Sequence, residues 1–151
     1  MRGANSATDD ARTISTHFPF RRTMVVVEAL VGLGGFAGSM QLLAGVAAPP
    51  VSVLGPLGLS SWTLPAGWLF LTVALPSGLA LCLAWRRSLW APVAVLVASA
   101  LLATELLFQI PFLGFSVLQL IFGTVAIGMA AVAFLARKAG WWPRARPTTP
   151  L

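Results

Sequence analysis

The sequence predicts an all-α membrane protein: a four-transmembrane-helix antiparallel bundle with N and C termini cytoplasmic. Three observations predict it. Four apolar runs each hold roughly 20 residues, about the length of helix that crosses a ~30 Å hydrocarbon core. Hydrophobic residues make up 58% of the 151 and charged residues only 9%, too little polar surface to cover an apolar core in water. Every Lys and Arg lies outside the four runs, and the basic residues recur at every second connection.

Residues 1–23 form a polar leader containing Asp9 and Asp10, without hydrophobic periodicity, expected to be disordered in the cytoplasm. The first span, Met24 to Ala48, is too long for the apolar region of a cleaved signal, and Arg21 and Arg22 hold its start inside. Pro49 to Leu64, PPVSVLGPLGLSSWTL, is too rich in Pro and Gly for a helix and too apolar for a solvated loop. It is expected to lie along the outer membrane surface with Trp62 at the head groups. The second span runs from Pro65 to Trp85, with Pro65 suited to a first helical turn. Arg86-Arg87-Ser88 makes a short cytoplasmic turn between the interfacial residues Trp85 and Trp90. The third span runs from Ala91 to Phe112, where Pro111 and Gly114 act as stop signals, and the fourth from Phe115 to Leu135. Trp141 and Trp142 are expected at the inner interface, and residues 139–151 form a proline-rich cytoplasmic tail. The membrane domain thus covers residues 24–138.

Charge placement sets the orientation. Arg2, Arg12, Arg21 and Arg22 precede the first span, Arg86 and Arg87 separate the second and third, and Arg137, Lys138, Arg144 and Arg146 follow the fourth. The other two connections carry no charge, the alternation that the positive-inside rule predicts for an even number of spans. The net charge of +6 therefore points to anionic lipid head groups and away from nucleic acid. Nine Arg to one Lys, with abundant Ala and Pro, suggest a GC-rich bacterium and hence the bacterial cytoplasmic membrane.

The chemistry available is narrow. Cys82, the sole cysteine, lies in an apolar run, which excludes an internal disulfide, a CxxC pair and a cysteine-rich metal site. It is expected to pack as a small apolar residue. His17, the sole histidine, lies in the leader, so no span offers a haem or proton-relay imidazole. No cofactor, metal site or catalytic set is expected, and the chain is read as a non-enzyme.

Two acids, Glu28 and Glu105, fall within spans, where an ionisable group is costly enough to be a functional candidate. Glu28 comes one turn after Met24, within reach of the inner interface and of Arg21 or Arg22. Glu105 lies about 14 residues into its span, roughly 20 Å from the cytoplasmic end, beyond reach of any Lys or Arg. Gln41, Gln109 and Gln119 fall at a similar depth, so Glu105, Gln109, Gln41 and Gln119 are the candidate ligand-binding cluster, roofed by the 49–64 segment. Interhelical hydrogen bonding that merely fixes helix pairing is the competing role. Glu28, Trp62, Thr72 and Pro76 are secondary candidates. Pro76 removes the backbone donor that would meet the Thr72 carbonyl near the middle of span two, which predicts a kink. In span one, Glu28, Gly32, Gly35 and Ser39 share one stripe and Gly34, Gly38, Gln41 and Gly45 another; the second holds a GxxxG pair that lets helices approach closely.

Glu28 early in span one, Trp62-Thr-Leu-Pro65 before span two, and Glu105-Leu-Leu-Phe-Gln109-Ile-Pro111 closing span three together resemble the small uncharacterised four-span integral membrane proteins of GC-rich bacteria, over roughly Val25 to Leu135. The resemblance implies a fold and no activity. The glutamate in span one is also similar to that of small multidrug resistance transporters. Glu28 lies nearer the cytoplasm than theirs, however, and the long outer loop has no counterpart there. Two function classes follow. The first is an accessory or structural membrane component that packs against a membrane-protein partner or as a homo-oligomer. The second is a small carrier or binder of a lipophilic or cationic ligand, using the polar cluster around Glu105.

Overall fold

The structure, a computed structural model, describes residues 20–46 and 48–141, and every regular element within them is a helix. Four are long: α1 (Arg21–Ala44), α2 (Thr63–Trp85), α3 (Ala91–Leu113) and α4 (Val117–Lys138), each long and apolar enough to cross a membrane. The connection between α1 and α2 carries a short 3₁₀ helix, Val51–Leu57. The leader through residue 19 and the tail from Trp142 onward lie outside the described residues.

Local chemistry, more than hydrophobicity, sets the helix ends. At the start of α1 Phe20 takes a left-handed turn at φ 64° and accepts the Met24 N–H at 3.0 Å, so the helix begins at Arg21, ahead of the apolar run. It stops at Ala44, short of the Ala48 expected, because Gly45 adopts φ 67°. The Gly45 and Val46 N–H groups then fold back onto the Leu42 and Gln41 carbonyls, the Schellman arrangement. The 49–64 connection, expected to be non-helical, holds the 3₁₀ helix instead. Seven residues of that tighter helix tolerate Pro56, and Gly58 ends it at φ 68°.

Pro76 is accommodated by a widened turn. Phe70–Ala74 is π-helical, and the Leu75 N–H donates to Phe70, five residues back. One extra residue in the turn absorbs the missing proline donor while α2 continues to Trp85. Pro111 does not stop α3, since its fixed φ suits a helix and only one bond is lost in the last turn. Gly114 at φ 72° ends that helix, its N–H on the Ile110 carbonyl at 2.9 Å. At the start of α4, Ser116 and Gln119 form a capping box: the Gln119 N–H reaches Ser116 Oγ at 3.3 Å and the Ser116 N–H reaches Gln119 Oε1 at 3.0 Å.

Helix α2 packs between α1 and α3, and α3 packs most extensively against α4. Along the α1–α2 seam, Gly38 meets Leu69, Gly35 meets Val73, and Gly32 meets Ser77. At the end of the seam Arg21 donates to the carbonyls of Ala84 (3.2 Å) and Trp85 (3.1 Å). The tight face of α1 is the stripe Glu28, Gly32, Gly35, Ser39: a Cβ on Gly35 would sit 2.9 Å from Val73 Cγ1 and 3.1 Å from the Ala74 backbone nitrogen. Of the GxxxG pair, Gly34 is loose, 4.0 Å from the tip of Phe122, whereas a Cβ on Gly38 would lie 3.3 Å from Leu69 Cδ2.

The interior is built of small residues. Ala66, Ala80, Ala84, Ala91, Ala133 and Ala136 are fully buried, while Leu30, Leu33, Leu71, Leu107, Leu118 and Ile127 point outward. Lipid tails are as apolar as leucine, so helices in a bilayer associate through close packing of small side chains and leave large ones outside. Cys82 lies on this exposed side and not in the packed interior. Trp141 is buried and belongs to one apolar cluster with Met24, Ala80 and Ala136, and its indole N–H donates to the Ser88 carbonyl at 2.9 Å.

Candidate functional site

Glu105 anchors the candidate site. It is buried on α3, and both carboxylate oxygens are engaged. Oε2 accepts the Trp68 indole N–H at 2.8 Å and lies 3.3 Å from the Thr72 hydroxyl. Oε1 accepts the Gln109 amide at 3.1 Å from one turn further along the same helix. The Thr72 hydroxyl also reaches the Trp68 carbonyl at 2.9 Å, so its single proton is shared between the two acceptors. Trp68 and Thr72 sit one turn apart where α2 enters its π-helical turn, which sets the phase at which both face α3. Three neutral donors thus hold a carboxylate that has no basic partner among the described residues.

Above Glu105 opens a cavity of about 470 Å³, within the range of roughly 300–1,000 Å³ that small-molecule sites occupy. The 3₁₀ helix roofs it with Val53, Leu54 and Leu57; α1 contributes Leu42, α2 contributes Pro65, Trp68 and Leu69, and α3 contributes Phe108 and Phe112. Glu105 and Gln109 are the acid and the amide in an otherwise apolar and aromatic lining. Trp62 holds the roof in place. Its indole N–H donates to the Pro49 carbonyl at 2.9 Å and closes the segment on itself.

The expected cluster of four polar residues does not converge. Glu105 and Gln109 come together, but Gln119 spends its side-chain oxygen on the cap of α4 and Gln41 is exposed. The reasons are local. Ser116-x-x-Gln119 before an apolar run is a capping-box pattern, and that pattern takes the amide first. Gln41 belongs to the looser of the two α1 stripes, so burial of the other stripe turns it outward.

Glu28 is buried, only 3% exposed. It faces the Ser77 hydroxyl rather than an arginine. Arg21 is drawn to the carbonyls at the end of α2 and lies over the Trp85 ring at 5.9 Å. Of the other secondary candidates, Thr72 joins Glu105, Trp62 supports the roof, and Pro76 lies just past the π turn that presents Thr72. Trp68 was absent from the sequence-derived candidates. Its signal is an indole N–H inside an apolar stretch, a donor for which lipid tails offer no acceptor.

Comparisons with protein-family models, with curated proteins and with solved structures found no match for this chain.

Proposed function

We propose that this is a non-catalytic multi-pass protein of the bacterial cytoplasmic membrane that binds a lipophilic ligand with a cationic head in the cavity above Glu105. The observation that carries the proposal is an apolar, aromatic cavity whose floor is a carboxylate held, among the described residues, by neutral donors. Trp68, Phe108 and Phe112 line the cavity, aromatic residues of the kind that hold an apolar body or a cation. The carboxylate supplies the charge to which the head group binds. Two arrangements accompany this reading. The helices run antiparallel, in line with the descending order of the α1–α2 contacts. Both termini face the cytoplasm, following the basic residues, which places the cavity in the outer half of the membrane. An accessory role, in which the ligand-bound protein assists a larger membrane complex, accompanies this reading.

The test is saturable quenching of tryptophan fluorescence by tetraphenylphosphonium in lipid nanodiscs, comparing the native protein with Glu105→Gln. Loss of the charge is expected to weaken binding at least tenfold, which corresponds to about 1.4 kcal/mol. Equal affinity in the two proteins, or no saturable binding in either, overturns the proposal.

A further inference from the structure

A second polar site lies at the centre of the bundle, away from the Glu105 cavity. Glu28 of α1, Ser77 of α2 and Ser99 of α3 line a small space completed by Ala126 and Met129 of α4. All three polar residues are buried, with 3%, 2% and 5% exposure respectively. The Ser99 hydroxyl stands out. Ser39, Thr72, Thr104 and Thr124 each return their hydroxyl proton to the carbonyl four residues back. Ser99 does not, and its buried oxygen has no hydrogen-bond partner among the described residues.

A buried hydroxyl left unpaired costs roughly 1–3 kcal/mol, so the space it lines calls for an occupant. That space offers about 10 Å³ to the centre of a water molecule, close to the ~10–15 Å³ that one water needs. We propose that Glu28, Ser77 and Ser99 enclose a binding site for one water molecule, which links α1, α2 and α3 by hydrogen bonds inside the bundle. The choice of water over a metal cation follows from the count of donors. A buried water is satisfied by about two to four polar partners, which three side chains supply. A hard cation takes about six oxygens, whereas the remainder of this wall is Val31, Ala98, Leu102, Val125, Ala126 and Met129. The water gives Ser99 the acceptor it lacks and ties the acid of α1 to a helix that its own side chain does not reach.

The sign of a stability change tests the occupant. With a bridging water, Ser99→Ala removes one of its partners and is expected to lower the melting temperature of the purified protein in nanodiscs by about 2–4 °C. In a dry cavity the same substitution removes an unpaired hydroxyl and raises it. A rise, or no change, overturns the proposal. Melting in sodium and in choline buffers is expected to coincide, and a sodium-dependent shift that Glu28→Gln abolishes would put a cation in place of the water. A structure at a resolution that shows ordered solvent is expected to contain a single peak within hydrogen-bonding distance of Glu28, Ser77 and Ser99, and an empty site there would also overturn the proposal.

Discussion

The closest approach in the bundle predicts an unequal effect for two adjacent glycines. In Gly35→Ala the new methyl would lie 2.9 Å from Val73 Cγ1 and 3.1 Å from the Ala74 nitrogen. The first contact can yield by a side-chain shift, but the second is backbone in the π-helical turn and yields only if α1 and α2 separate. Overpacking of this kind costs about 1–3 kcal/mol. In Gly34→Ala the nearest atom is the tip of Phe122 at 4.0 Å, an ordinary contact. Both substitutions gain the same ~1 kcal/mol of helix propensity, so that term cancels in the difference. At about 2–4 °C per kcal/mol for a chain of this size, Gly35→Ala is expected to melt several degrees below Gly34→Ala in detergent or nanodiscs. Adding Val73→Ala to Gly35→Ala is expected to restore part of the loss, since it relieves the side-chain clash and leaves the backbone one. Equal melting of the two single variants, or a greater loss in Gly34→Ala, would refute the seam and favour the GxxxG pair as the packing surface.

Three further outcomes are expected. Glu105→Leu strands the Trp68, Thr72 and Gln109 donors together and is expected to cost at least ~2 kcal/mol, whereas Glu105→Gln keeps an acceptor and costs less; equal melting would show that the donors find other partners. Ser116→Ala removes the side-chain half of the α4 capping box and is expected to cost about 1 kcal/mol, read as a lower melting temperature with no change in tetraphenylphosphonium affinity. In a Cys82→Ala background, cysteine at Ser60 is expected to react with an impermeant maleimide in intact cells and cysteine at Ser88 is not; the reverse pattern would invert the orientation.

The cavity gives the short helix Val51–Leu57 a purpose that composition alone obscured. A Pro- and Gly-rich apolar stretch reads as a surface loop, yet Leu54 is 3% exposed and the segment is clasped by Trp62. Val53, Leu54 and Leu57 face the ends of α1, α2 and α3 across the cavity.

Four helices long and apolar enough to cross a membrane were legible because a bilayer imposes one demand on a crossing segment: an apolar length with its backbone bonded internally. The pairing of Glu105 with Gln109 was legible too, because a four-residue spacing on a helix is itself a statement about contact. Two local signals were present and outweighed by hydrophobicity, namely Gly45 at the end of α1 and Ser116-x-x-Gln119 at the start of α4. Only the tertiary structure decided the rest. Trp68 and Thr72 meet Glu105 because the π turn sets the phase of α2 and α3 lies alongside, and neither condition is written at those positions. Glu28 faces Ser77 and lies opposite Ser99 for the same reason: the side of α1 that is buried depends on Gly35 fitting against Val73 and Ala74. Span length answers to the solvent, which every residue meets independently. Helix phase answers to the neighbouring helix, whose own surface must be in place before any one side chain has a partner.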